Sequence, residues 1–139
     1  MGSIISPFLD EFYDDYPRIE AAFQAALDES LRPRGPELLY EMVNKLGLSP
    51  GASVVDLGCG EGQHSIKLAN QFGFAVQGID PVPRHIELAN EGLDKAAKRH
   101  PELSQLVRFR LGAAEALPIR DASVDLIWCR DVLVQVTYD

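Results

Sequence analysis

The sequence predicts an α/β fold: an open, doubly wound, mainly parallel sheet with helices ahead of it. Three observations carry that expectation. From Ser53 onward, strand-like runs alternate with helical runs, the order that builds a parallel sheet covered by helices. The first and last of these strands, "SVVDL" and "SVDLIWC", are apolar on nearly all sides, as buried parallel strands are. The segment "GCGEG", Gly58 to Gly62, closes the first strand and opens a helix. Right-handed crossovers then give the doubly wound arrangement.

Taken in order, the leader "PFLDEFYDDY" mixes aromatic and acidic residues. Pro17 suits a helix start, where its missing N–H costs nothing. Ile19, Phe23, Leu27 and Leu31 follow at steps of four, so Pro17 to Leu31 reads as an amphipathic helix. "RPRGP" breaks it. Pro36 opens a second helix, with Leu38, Leu39, Met42, Val43 and Leu46 on one face and Gly47 at its end. "SVVDL" is the first strand, and Gln63 to Phe72 is the helix after the glycines. "FAVQGI" is the second strand. Val82 to Arg99 is a long helix with Val82, Ile86, Ala89, Leu93 and Ala96 at helical spacing. "LVRFRL" alternates apolar residues with Arg108 and Arg110, which suits an edge strand with one wetter face. "SVDLIWC" is the fourth strand.

Composition excludes several classes. The chain has 139 residues, 46% of them hydrophobic, with a formal net charge of -8. A core is expected, and disorder is not. Phosphate backbones attract clustered Lys and Arg, so no nucleic acid partner is expected. No apolar run approaches a membrane span, and no secretory leader opens the chain. Two cysteines, Cys59 and Cys129, make neither a disulfide framework nor a zinc spacing, so no metal is expected. They fit a reducing, cytoplasmic setting.

In an open α/β sheet, ligands bind beyond the carboxyl ends of the strands. Gly58 and Gly60 permit positive φ and clear space for a ligand, while Gly62 lets the helix start pack closely. The helix N-terminus favours a carboxylate or phosphate. Asp80 ends the second strand, 22 residues beyond Gly58. An acid at that distance grips ribose hydroxyls in this architecture; a helix cap before Val82 is the plainer reading. For a dinucleotide, the residue at position 63 is expected to be Gly or Ala, and it is Gln63. Asp56, inside the first strand, repels a pyrophosphate and attracts an ammonium group.

"VVDLGCGEG" resembles motif I of the S-adenosylmethionine-dependent methyltransferases with the Rossmann-like fold. "GID", Gly78 to Asp80, is similar to their acidic ribose position. "LGAAEALPIRDASVDLIWCRDVL" is similar to their stretch from the third strand through the fourth. The flavour is that of the small-molecule branch with ubiquinone and sterol methyltransferase-like enzymes. The resemblance implies strand order 3-2-1-4 and S-adenosyl-L-methionine as cofactor. It also implies an N-terminal lid or helical segment over 1–35 and a cofactor domain over 36–139. Gly58, Cys59, Gly60 and Gly62 would line the methionine part, with Asp56 near its amino group. Asp80 would take the ribose hydroxyls, Pro81 would flank the adenine, and Ala114 and Glu115 would lie by its edge. Cys129 and Arg130 would approach the methionine end, and Arg34 with Gly35 its carboxylate. One departure is Ala113, where relatives commonly carry an adenine-binding aspartate.

Methyl transfer needs alignment and a dry pocket more than a catalytic side chain. If the acceptor is a hydroxyl, a base helps remove its proton. His64, in the first turn after the glycines, is a candidate base or a packing residue. Tyr13 and Tyr16 either cap the substrate pocket or simply pack. His85 and His100 read as helix-face and helix-end residues. The resemblance further implies strands beyond Asp139, so the chain is expected to be the N-terminal, cofactor-binding portion acting on a small-molecule acceptor. An exposed fourth strand then offers an edge for a homo-oligomer or a swapped dimer. Two rivals remain: a non-catalytic cofactor-binding or scaffold module of the same fold, and a nicotinamide-dependent oxidoreductase.

Overall fold

A computed structural model describes residues 18–26 and 35–130. The chain divides into two compact units, Met1–Met42 and Val43–Asp139. In the first, residues 18–26 are helical (α1). The rest of the helix expected over Pro17 to Leu31 lies outside the described residues. Helix α2, Pro36–Leu46, begins at the expected proline, and the boundary between the units falls within it.

The second unit is a four-stranded sheet of order β3-β2-β1-β4, parallel throughout. Its strands are β1, Ser53–Leu57; β2, Ala75–Asp80; β3, Val107–Leu111; and β4, Leu126–Cys129. Helix α3, Gln63–Phe72, links β1 to β2, and α4, Pro83–Ala97, links β2 towards β3. A short helix α5, Leu103–Leu106, precedes β3. The boundaries of β1 and α3 match the expectation. Strand β2 sits one residue later, so Asp80 is its last member. Helix α4 is shorter at both ends, with Val82 as its N-cap.

Strand β4 is shorter than "SVDLIWC". Asp125, just before it, accepts the Ser53 amide on its carboxylate at 2.8 Å and donates its own N–H to the Ser53 carbonyl. Ser123 turns back to the Arg120 carbonyl, so the residues ahead of Leu126 belong to a turn. The expectation that this strand is buried all round is corrected: Trp128 is buried, whereas Ile127 is 55% exposed. Strands β3 and β4 are the two edges. On β3, Arg108 and Arg110 are exposed and alternate with buried Val107 and Phe109 as expected, but the alternation stops at Leu111, which is exposed.

Strand alternation divides the core. Val54, Asp56, Val76 and Phe109 are buried on the face carrying α3 and α4, with Leu68, Ala69, Ala89 and Leu93 from those helices. Register places Gly78 beside Phe109. A Cβ on Gly78 would lie 2.5 Å from the Phe109 ring, and one on Gly62 would lie 2.4 Å from it. The ring therefore fills space that two missing side chains leave, and it draws the start of α3 down onto the sheet. Both α3 and α4 cover this face, while the β3–β4 connection, 112–125, crosses without a helix.

Candidate functional site

The carboxyl ends of β1 and β2 meet a turn built for close approach. Gly58, Gly60 and Gly62 have φ of +69°, +54° and +83°, left-handed values that L side chains rarely adopt. The amides of Gly58 and Cys59 both donate to the Ile79 carbonyl, at 2.7 and 3.1 Å. These bonds fasten the turn to β2. A Cβ on Gly60 would meet nothing within 4 Å, so that position faces open space.

Asp80 closes the arrangement from the other side and is only 5% exposed. Its Oδ2 accepts the Gly60 amide at 2.9 Å. Its Oδ1 accepts the Val82 amide at 2.9 Å and lies 3.0 Å from Nδ1 of His85. A carboxylate only accepts, so Nδ1 carries the proton in that pair. Asp80 thus caps the turn into α4 and braces the glycine turn at once.

These groups line a cavity of about 430 Å³, together with Pro81, Val82, Ala113, Ala114, Glu115 and Arg130. The volume lies in the range of small-ligand pockets. Gly112, also in the lining, is fixed by donating its N–H to the Asp80 carbonyl at 3.0 Å. Residues from the ends of β1, β2, β3 and β4 therefore meet around one hollow, as the switch point of an open α/β sheet requires.

Of the residues singled out in the sequence, Gly58, Gly60, Asp80, Pro81, Ala114, Glu115 and Arg130 come together here. Others stand apart. Asp56 points to the helix-covered face, where it accepts the Ser65 hydroxyl at 2.7 Å. Burial pushes its carboxyl up to about 6, against the lowering effect of Ser65, and the charge of Asp80 adds to the rise. Cys59 is buried behind the turn, and burial pushes its thiol up to about 12, with Asp56 and Asp80 adding to the rise. Gly62 packs on Phe109 and Ala89 rather than lining the hollow. Cys129 is exposed and outside the lining. The His64 ring lies tilted against Trp128, with centroids 5.4 Å apart, and does not line the hollow. Tyr13, Tyr16 and Arg34 lie outside the described residues; Gly35 is described, and the Glu37 carboxylate crowds it. His85 is the residue that sequence reasoning passed over. Its available signal was an imidazole in the first turn of the helix that follows an acidic strand end.

Comparison with known proteins gives the family and the fold. The Methyltransferase domain family matches residues 48–138. The chain belongs to that family. Among its relatives, the 27-O-demethylrifamycin SV methyltransferase of Amycolatopsis mediterranei is 32% identical over 108 residues, covering 76% of this chain. The chain spans 38% of that relative's length. A crystal structure of a Galdieria sulphuraria protein assigned as a sarcosine dimethylglycine methyltransferase superposes with a TM-score of 0.65. It is 25% identical and covers 72% of this chain and 36% of its own. The [4+2]-cyclase SpnF also shares the fold, at a TM-score of 0.53 and 30% identity, covering 65% of this chain and 32% of its own. The fold class is therefore Rossmann-like, with strand order 3-2-1-4. Among the described residues, no helix is long and apolar enough to cross a membrane, and no acidic, His or Cys cluster suits a metal.

Proposed function

We propose that this chain is the cofactor-binding portion of an S-adenosylmethionine-dependent methyltransferase acting on a small-molecule acceptor. One observation carries the reading: a buried carboxylate, Asp80, stands between the Gly60 amide and the start of α4 at the wall of an open hollow. The residues fit the cofactor. Gly60 leaves the approach clear. The buried carboxyl of Asp56, whose ionisation the charge of Asp80 opposes, favours a cation nearby. When bound, the cofactor supplies a methyl group already activated by its sulfonium centre.

The chain's own part is positioning. Asp80 accepts ribose hydroxyls, and Pro81 flanks the adenine with Ala114 and Glu115 at its edge. The backbone of Gly58 to Gly60 bounds the methionine part, and Arg130 approaches its far end. Asp56 and Cys59 act from behind the turn, through charge and packing. Ala113 offers no side-chain acceptor to the adenine amino group, which costs about 1 kcal/mol relative to an aspartate. The exposed Ile127 on edge strand β4 suits pairing with further chain or with a second copy. Its two thiols are unpaired, which accords with a cytoplasmic setting.

Isothermal titration with S-adenosylhomocysteine and with NAD tests the reading. Saturable binding of the first and none of the second supports it; the reverse overturns it. Labelled methyl transfer by the full-length protein to a small-molecule panel then separates an enzyme from a binding module. A fold neighbour at 30% identity is named a cyclase rather than a methyltransferase, so the fold by itself does not fix methyl transfer and this second assay is the one that decides the reaction.

A further inference from the structure

The acceptor capacity of Asp80 is limited. Each carboxylate oxygen has two lone pairs. Oδ1 already takes the Val82 amide at 2.9 Å and His85 Nδ1 at 3.0 Å. Oδ2 takes the Gly60 amide at 2.9 Å and keeps one lone pair. The two backbone donors are fixed by the glycine turn and by the N-terminus of α4. The imidazole is the only one of the three donors on a rotatable side chain, and that side chain is 43% exposed. It also lines the same hollow as Asp80. A ligand with one hydroxyl can use the spare site on Oδ2. A ligand with two neighbouring hydroxyls needs a second site, and only His85 can vacate one.

We infer that His85 is a displaceable latch on Asp80, a positioning residue that a vicinal diol must push aside before it is held by both carboxylate oxygens. The inference rests on Asp80 being the ribose-binding carboxylate of the proposed function. In the free protein, His85 keeps Oδ1 satisfied and the carboxylate aligned. When a diol arrives, the imidazole rotates towards solvent and one hydroxyl takes its place. The second hydroxyl thus exchanges one hydrogen bond for another, so it adds little net affinity. Without the imidazole, the same hydroxyl fills a vacant acceptor and adds its full value, and the site discriminates more sharply between a diol and a single hydroxyl.

The experiment is a cycle of ligand and protein deletions by calorimetry. S-adenosylhomocysteine and its 2′-deoxy and 3′-deoxy analogues are titrated into the wild-type chain, His85→Ala and His85→Gln. In the wild type, at least one deoxy analogue binds within about threefold of the parent. In His85→Ala, S-adenosylhomocysteine binds tighter and loss of that same hydroxyl costs about tenfold, the value of a hydrogen bond to a charged acceptor. His85→Gln, which can still donate to Oδ1, returns the discrimination towards the wild-type value. Equal discrimination in wild type and His85→Ala overturns the latch, as does weaker binding of the parent ligand by His85→Ala with an unchanged melting temperature. Absence of any S-adenosylhomocysteine binding by the wild type instead overturns the cofactor reading itself.

Discussion

Oδ2 of Asp80 accepts the Gly60 amide at 2.9 Å, so the last residue of β2 holds the turn that follows β1. The bond joins residues 20 apart in the chain and gives the hollow its shape before any ligand arrives. Asp80→Asn keeps the volume but puts an NH₂ group where one of two backbone N–H donors now points. Affinity for S-adenosylhomocysteine should fall at least about tenfold, and stability by about 1–3 kcal/mol. Calorimetry and urea denaturation measure the two effects separately.

Two neighbouring glycines should respond differently to alanine. At Gly62 a methyl group would enter the Phe109 ring at 2.4 Å, at a φ of +83°. Crowding and backbone strain together should cost about 3 kcal/mol of stability. At Gly60 nothing lies within 4 Å, so only the backbone term of about 1 kcal/mol remains. The Gly60→Ala methyl would face the hollow, however, so this variant should lose ligand affinity out of proportion to its small loss of stability. Denaturation midpoints alongside titrations would expose the contrast.

Asp56 predicts a pH dependence. Its carboxyl rises from the ordinary 3.8 to about 6, chiefly through burial. Between those values the folded chain holds a proton that the unfolded chain has released. Stability therefore falls as pH rises through this window, by about 3 kcal/mol for this group, and levels off above it. Asp56→Asn still accepts the Ser65 hydroxyl on its amide oxygen and removes the titration. Its stability curve from pH 4 to 7 should rise relative to the wild type with increasing pH. Parallel curves would remove Asp56 as the source.

The two thiols should separate in alkylation. Cys129 is exposed, whereas Cys59 is buried with its thiol pushed up to about 12. The thiolate is the reactive form. Iodoacetamide at neutral pH should add one group promptly, at Cys129, and a second only under denaturant. Intact-mass spectra over time give the order, and early labelling of Cys59 would contradict it.

Much of this architecture was legible because its strongest signals are local. "SVVDL" followed by three alternating glycines sets both the end of β1 and the start of α3, and the structure keeps those boundaries. The start of α4 was nearly as clear: helical spacing put it at Val82, and the structure makes Val82 the N-cap with the helix beginning at Pro83. Less legible was whatever depends on a distant partner. The start of β4 is decided by Asp125 bonding to Ser53 across the sheet, which no apolar pattern announces. Helix α5 spans only four residues, too few for a period to show. Within the site, the glycine turn and Asp80 were found from spacing, but that Asp56 shares the helix-covered face with Val54 took the structure to display. His85 was read by its place on a helix face, whereas its partner lies before the helix begins.

Phe109 lies on an edge strand, yet its ring sits against both Gly62 and Gly78. Substitutions at these three positions should therefore be coupled. A homologue with a large aromatic residue at the position of Phe109 has to retain glycine at both of the others. One that shrinks that residue eases the constraint at Gly78 more than at Gly62, because Gly78 lacks a left-handed backbone, although Ser65 Oγ at 2.9 Å still has to give way there.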